Sequence, residues 1–391
     1  MSHQQKPIRR PLSPNFSSGP CSKRPGWTLD NLKDACVGRS HRSVVGKNKI
    51  KCAMDLSKEV LNLPHDYLLG FVPGSDTGAV ESALWSVLGE RNVDLIAWEN
   101  FGETWVKDVV SELKLPGTNI HRAGYGHIPN LSNVDFSNDV VFTWNGTTSG
   151  VCVPSGDWIP KNREGLTICD ATSAVFAMEI PWEKIDIATY SWQKSLGGEA
   201  AHGVIILSPR AVKRIESYLP PWPVPKIFNL RKNNKINNEI FLGATINTPS
   251  MLCVEDLLDS LKWAKNIGGI SGLVKLTKNN FDSISSWVSN ANWVDFLAVS
   301  PDIRSPTSVC LKLIEPWFVN LNIKEKILFI SKFVELLENE GIANDIKGHR
   351  EAPPGLRIWC GPTVQLDDLE CLWPWLDWAY KETLTLVKEK L

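Results

Sequence analysis

Lys194 follows an apolar run, Ile185 to Trp192, and precedes two glycines, Gly197 and Gly198. Asp170 ends an earlier apolar run that starts at Thr167. A lysine just past a buried strand is partly desolvated, which lowers its pKa and leaves a free amine able to attack an aldehyde. Small residues after it let the backbone come close to a bound group. An aspartate at the end of a neighbouring strand can face a pyridine nitrogen and keep it protonated, making the ring an electron sink. The pair suits a Schiff base to pyridoxal phosphate, with Lys194 and Asp170 as the catalytic residues.

Other candidates collect after apolar runs in the same sense. Tyr67 to Val72 runs into Pro73-Gly74-Ser75-Asp76-Thr77-Gly78 and then a helix. Strand, glycine-bounded turn and helix suit a phosphate at a helix N-terminus, with Ser75, Thr77 and free backbone N–H groups pointing at it. Asp76 cannot face a phosphate dianion, so its side chain is expected to turn away, as an N-cap. Val93 to Trp98 precedes Phe101 and Trp105, either able to stack on a flat heterocycle. Val140 to Phe142 precedes the hydroxyls of Thr147 and Thr148, and Asn247-Thr248-Pro249 offers side-chain donors in a loop before a helix. His41-Arg42 supply two adjacent anion donors; His349, Arg350 and Arg357 supply three more in KGHREAPPGLRIWCG. Arg357 sits in a strand and suits bidentate pairing with a carboxylate.

These positions need a scaffold of strands ending on one side. Apolar runs separated by helices indicate an α/β fold, a mostly parallel sheet flanked by helices, with ligands beyond the carboxyl ends of the strands. A first helix is expected near Thr28 to Cys36, a strand at Gly203 to Leu207 and a helix from Ala211. From about Val274 the pattern changes to short alternating runs, Trp293–Val299, Ser308–Ile314 and Leu356–Trp359, with helices near Lys324–Glu340 and Asp367–Lys388. The expected division is an extended or disordered arm over 1–14, a large domain over 15–270 and a smaller C-terminal α+β domain over 271–391.

Composition sets limits. The 391 residues can bury a large core, and 42 Lys plus Arg against 43 Asp plus Glu point to neither nucleic acid nor an acidic membrane as partner. Nine scattered cysteines without a CxxC pair argue for reduced thiols in a cytoplasmic setting and for no metal site. No apolar segment follows Arg9-Arg10, and no apolar stretch is long enough for a membrane span.

Taken together, FSSGP, His41-Arg42, the Trp105 region, Asn145-x-Thr147, Asp170, Gln193-Lys194, Asn247-Thr248-Pro249, His349-Arg350 and Arg357 occur in a family's order over nearly the whole chain. The chain resembles the phosphoserine aminotransferases, class V members of the fold-type I pyridoxal-phosphate enzymes. The resemblance implies ping-pong transamination of O-phospho-L-serine with 2-oxoglutarate, giving 3-phosphohydroxypyruvate and L-glutamate in serine biosynthesis. Family members also act on a phosphorylated threonine-like intermediate of vitamin B6 synthesis. It implies that Trp105 stacks on the cofactor ring and that Thr147 lies near the ring hydroxyl. The Ser75-Asp76-Thr77 loop and Gln193 fall at the cofactor phosphate. Asn247 and Thr248 would reach that phosphate from a second subunit, so a homodimer with shared sites is implied. His41, Arg42, His349 and Arg350 match the substrate-phosphate cluster, and Arg357 the α-carboxylate clamp. One departure is the lack of the arginine that many bacterial relatives carry in the first phosphate loop, so the helix dipole and other donors must balance that charge. Serine- or alanine-glyoxylate transaminases of the same class are the alternative. A cysteine desulfurase would need a thiol in a mobile loop, whereas Cys152, Cys253 and Cys310 lie in or beside apolar runs. A fold relative without cofactor would not need the Asp170–Lys194 pair.

Overall fold

A computed structural model describes residues 5–388. Its centre is a seven-stranded sheet built from β1 (Leu68–Pro73), β2 (Val93–Ala97), β3 (Thr118–Arg122), β4 (Asp139–Thr143), β5 (Thr167–Asp170), β6 (Ile187–Tyr190) and β7 (His202–Leu207). The spatial order is β1-β7-β6-β5-β4-β2-β3. Strands β3, β2, β4, β5 and β6 pair in parallel, and β7 runs antiparallel to both β6 and β1. Every residue of β2, β4, β5, β6 and β7 is buried, which is why these strands read as unbroken apolar runs.

The two faces feed separate cores, because side chains alternate along a strand. Ile96, Phe142, Cys169 and Ala188 pack with α1 (Val44–Val60) and α5 (Met251–Asn266). Their neighbours Leu95, Val141, Ile168 and Ile187 pack with α2 (Ser75–Val87), α3 (Asn100–Lys107) and α4 (Pro209–Ser217). Side-chain caps start several helices: Ser43 accepts from Gly46 N–H, and Ser208 accepts from Ala211 N–H ahead of Pro209.

Two expectations change here. Thr28 to Cys36 holds only a short 3-10 turn, Leu29–Leu32, without a buried residue. The first α-helix is α1, whose interrupted apolar face (Ile50, Ala53, Met54, Val60) gives a weak periodic signal among six lysines of the surrounding stretch, counting Lys47, Lys49, Lys51 and Lys58 with Lys33 and Lys23. The stretch after Val274 remains helical as α6 (Gly269–Asn290) before the alternating pattern begins.

Beyond α6, β8 (Val294–Phe296), β9 (Ser308–Leu313) and β10 (Leu356–Trp359) form an antiparallel sheet packed by α7 (Ile323–Asn339) and α8 (Leu366–Lys388). An Asn322–Glu325 capping box starts α7. Phe16 and Cys21 belong to this core rather than to the two around the large sheet, and Phe16 C=O accepts from Trp359 N–H at 3.0 Å. The arm is extended and held, not disordered, over its described part. Arg9 C=O accepts from Trp375 Nε1 at 2.8 Å, Lys6 pairs with Glu340 at 2.6 Å, and the Arg10 guanidinium lies 5.0 Å from the Trp375 ring centre. Residues 1–4 of the expected arm lie outside the described residues.

Candidate active site

Lys194 follows β6 in a tight turn, and its amine is buried where strands β4, β5 and β6 end. Gly197 holds that turn against the Cys21–Lys23 segment: its φ is +62°, and a Cβ there would meet Ser22 O at 2.0 Å. Cys21 N–H donates to Gln193 O at 2.8 Å, and Lys194 Nζ donates to the Ser18 carbonyl. The Asn15–Trp27 segment therefore forms a wall of the lysine's chamber. Behind the turn, Trp192 stacks on His202 and meets Phe71 edge-on, each at 5.0 Å between ring centres.

Burial holds the Lys194 amine below the ordinary lysine pKa; the Arg357 guanidinium pushes the same way, and the Asp170 and Glu99 carboxylates oppose it. The adjacent Cys21 thiol is pushed up to about 12 by its burial. It stays protonated and supplies no charge to the lysine near neutral pH.

Asp170 ends β5, paired with Thr143 of β4 and Thr189 of β6. Its Oδ2 accepts from Trp105 Nε1 at 3.2 Å and its Oδ1 from Thr172 N–H at 3.0 Å. Asp76 is not an N-cap: Gly74, with φ +84°, takes that position, and Asp76 lies in the first turn of α2. Its buried carboxyl turns inward, against Asp170, Thr172 and Thr189. Burial, then the Asp170 charge, push its pKa well above the carboxylate range. Two buried carboxyls in contact cannot both ionise without a large cost, so Asp76 is the neutral member.

Among the described residues, Gln193 Oε1 and Arg357 Nε are buried without a hydrogen-bond partner, and Asp76 Oδ1, Thr172 Oγ1 and Thr189 Oγ1 lie near one another without a well-formed hydrogen bond. Orphaned donors and acceptors around an aspartate–lysine pair fit a polar, anionic heterocycle such as pyridoxal phosphate. At the phosphate loop, Ser75 has φ +58° and its N–H is taken by Ala201 O at 3.3 Å, so that group is not a free donor as expected. Thr77 is exposed at the start of α2.

Thr147 joins the chamber through the second sheet. Its carbonyl accepts from Ser308 Oγ at 2.7 Å, and Ser308 Oγ lies 3.2 Å from Ser18 Oγ. Asn145 donates to Ser173 O at 3.1 Å and to Thr307 Oγ1 at 2.8 Å, tying the same loop to both sheets. Arg357, on β10 opposite Cys310, projects its charge toward Lys194. His349 lies 6.3 Å from the Phe101 ring, and burial followed by the Arg357 and Arg350 charges lowers its pKa. With Arg350, Lys347 and Tyr125 it lines a cavity of about 640 Å³ walled on one side by Ile323, Ile327 and Ile330 of α7.

The structure thus brings together Lys194, Asp170, Asp76, Trp105, Thr147, Gln193 and Arg357, with His349 and Arg350 beside them. His41 and Arg42 lie in the turn before α1, and Asn247 and Thr248 are exposed in the loop before α5; among the described residues, no hydrogen bond or ion pair joins these four side chains to Lys194. Sequence reasoning missed Glu99, whose carboxylate accepts from Thr148 Oγ1 and Gly102 N–H, and the Ser18 carbonyl. Glutamate is not a usual N-cap residue, and a backbone carbonyl carries no residue-type signal.

No family model matches the chain. It is 56% identical over 375 residues to a phosphoserine aminotransferase of Methanosarcina mazei, covering 96% of this chain and 99% of the relative. This chain belongs to the phosphoserine aminotransferase family. A second such enzyme, from Methanosarcina barkeri, is 55% identical over the same span. Among solved structures, a phosphoserine aminotransferase from Cytophaga hutchinsonii superposes with TM-score 0.79 at 20% identity, covering 94% of this chain and 99% of that one. An alanine–glyoxylate aminotransferase from Nostoc sp. superposes with TM-score 0.75 at 17% identity, covering 96% and 97%. At those identities the structural likeness shows the α/β aminotransferase fold and does not separate the two substrate classes; the closer sequence kinship favours phosphoserine.

Proposed function

We propose that the chain is a pyridoxal-phosphate-dependent transaminase that converts O-phospho-L-serine and 2-oxoglutarate to 3-phosphohydroxypyruvate and L-glutamate, a step of serine biosynthesis. The observation that carries this is the buried Lys194 amine, within electrostatic reach of Asp170 and Arg357, in a chain of this family. Bound pyridoxal phosphate would supply an electrophilic carbon and an electron sink. Lys194, Asp170, Trp105, Thr147 and Gln193 would hold it, with Ser75, Asp76 and Thr77 at the start of α2.

Desolvation favours the uncharged form of Lys194 Nζ, which serves first as nucleophile and then as the base that takes the substrate's α-proton. Trp105 Nε1 and Thr172 N–H donate to the Asp170 carboxylate and fix its orientation, while the proton on Asp76 avoids a second charge beside it. Arg357 grips the α-carboxylate. His41, Arg42, His349 and Arg350 accept the substrate phosphate in one half-reaction and the distal carboxylate in the other. Histidines suit that exchange because they can follow the charge of the anion.

The finer parts of the proposal are a homodimer with shared sites, a second activity in vitamin B6 synthesis, and cytoplasmic location. Exposed Val37, Val44, Val45, Leu242 and Leu252, on the elements carrying His41, Arg42, Asn247 and Thr248, support coverage by a second copy that completes the site. Nine free cysteines support a reducing compartment. We further propose that the chain works as a large unit over 15–270 and a smaller one over 271–391, with Phe16 and Cys21 crossing into the core of the smaller one.

The test is single-turnover spectroscopy of the purified protein, following the cofactor band at about 400–430 nm. Loss of the band with phosphoserine and glutamate, but not with serine or alanine, supports the proposal. Conversion by serine or alanine alone would move the chain to the glyoxylate class, and a protein that takes up no cofactor would remove the role given to Lys194.

A further inference from the structure

Trp105 and Thr147 reach the site from different elements. Trp105 rides on α3, after β2, whereas Thr147 lies in the Asn145–Gly150 loop after β4. No covalent feature sets the distance between them. What joins them is the carboxylate of Glu99, buried at the N-cap of α3.

Its two oxygens serve different elements. Oε1 accepts from Gly102 N–H at 2.9 Å, which caps the helix. Oε2 accepts from Thr148 Oγ1–H at 2.6 Å and from Thr148 N–H at 3.2 Å, which grips the loop. Thr148 Oγ1 accepts in return from Asn100 N–H at 3.3 Å, closing the clasp. Gly146 permits the approach: a Cβ there would lie 2.8 Å from Glu99 Cγ and 2.7 Å from Trp98 Nε1. A helix cap alone needs one acceptor, which serine, threonine or aspartate supplies with a shorter side chain. The extra length and the second oxygen of glutamate are what reach the loop.

We propose that Glu99 is a positioning residue, whose carboxylate sets the separation of Trp105 from Thr147 and so the shape of the slot that receives the cofactor ring. The inference rests on the pyridoxal-phosphate reading of the site. Glu99 touches neither substrate nor reacting atoms; it acts through the two elements it joins. Burial raises the Glu99 carboxyl pKa, and the bonds from Thr148 and Gly102 oppose that rise; a buried, multiply bonded clasp of this kind holds geometry to a fraction of an ångström.

The test uses Glu99→Gln, Thr148→Val and Thr148→Ser in the full chain. Glutamine can accept with one oxygen only, so either cap or clasp is lost; valine removes the hydroxyl at nearly constant shape; serine retains it. The readouts are melting temperature, pyridoxal-phosphate affinity by equilibrium dialysis, and visible circular dichroism of the bound cofactor, which reports ring orientation. Glu99→Gln and Thr148→Val are expected to weaken cofactor binding on the order of tenfold, the scale seen when a partner orienting a site residue is removed, and to change the visible dichroism. Thr148→Ser is expected to restore both. A lower melting temperature in Glu99→Gln and Thr148→Val, with wild-type affinity and dichroism, would overturn the inference and leave Glu99 a structural cap. A wild-type protein that binds no cofactor would overturn the underlying reading and the inference with it.

Discussion

Replacing Gly19 by alanine tests whether the Lys194 amine works where the structure holds it. Gly19 has φ +150°, and a Cβ built there lies 2.7 Å from Lys194 Nζ and 3.1 Å from its Cε. Ordinary contact begins near 3.4 Å, so the amine must retreat by about 0.7 Å (3.4 minus 2.7) or the Ser18–Pro20 turn must move. Retreat also strains the hydrogen bond to the Ser18 carbonyl. Misplacing a reacting atom by an ångström costs on the order of 100-fold in rate, so a fall of roughly 10- to 100-fold in single-turnover rate with phosphoserine is expected. The backbone adds a separate cost, about 1–2 kcal/mol of stability, for a side chain at positive φ. Gly341→Ala separates the two effects: φ is +65° there and a Cβ would meet nothing within 4 Å. That control is expected to lower the melting temperature and leave the rate alone. A Gly19→Ala enzyme as fast as wild type would refute the placement of Lys194 Nζ as the reacting group.

Three further outcomes are expected. Asp76 holds its proton in the folded state to a higher pH than in the unfolded chain, so its contribution to stability is full below the ordinary carboxylate pKa and is lost as pH rises toward the raised folded value, at about 1.36 kcal/mol per unit of displacement. Asp76→Asn cannot lose a proton, so its melting temperature relative to wild type should climb as pH rises above the ordinary carboxylate range; a constant or falling difference in thermal scans would contradict a neutral Asp76. Arg357→Lys loses the two-pronged grip on a carboxylate, and about 1.5–3 kcal/mol for a charged hydrogen bond predicts a roughly 10- to 100-fold fall in kcat/KM. Because phosphoserine and glutamate share the α-carboxylate, both should suffer alike; a loss confined to one would place Arg357 at the distal group instead. Asp368→Ala should leave the rate of the folded enzyme unchanged. It should nonetheless cost about 1–3 kcal/mol, because the carboxylate accepts from Leu12 N–H at 2.6 Å; equal denaturation midpoints would show that the arm adds nothing to stability.

Legibility in the sequence followed physical range. The parallel strands were readable because both of their faces are buried, which forces unbroken runs such as VDLIA in β2 and TICD in β5. The positions after those runs were readable for a similar reason: ligands collect where the strands end. Helix α1 was not, because its buried face is broken by Gly46 and Ser57 and surrounded by lysines. The 3-10 turn at Leu29–Leu32 had the turn chemistry of a helix start without an apolar face to bury.

By itself the sequence determined which residue types could act and in what order they arrive at one edge of the sheet: Asp170, Gln193 and Lys194 from the large sheet, Arg357 from the second. Only the tertiary structure decided how they combine. Asp76 turned from an expected cap into the neutral partner of Asp170, because Gly74 starts the helix and α2 packs its first turn against β5 and β6. The Ser18 carbonyl became the acceptor for Lys194, across 176 residues of chain. Glu99 became the link between α3 and the loop after β4, since its two oxygens meet donors separated by 46 residues, Gly102 and Thr148. Residue type is local information. Contact between distant segments depends on how whole strands and helices stack, and no local pattern records it.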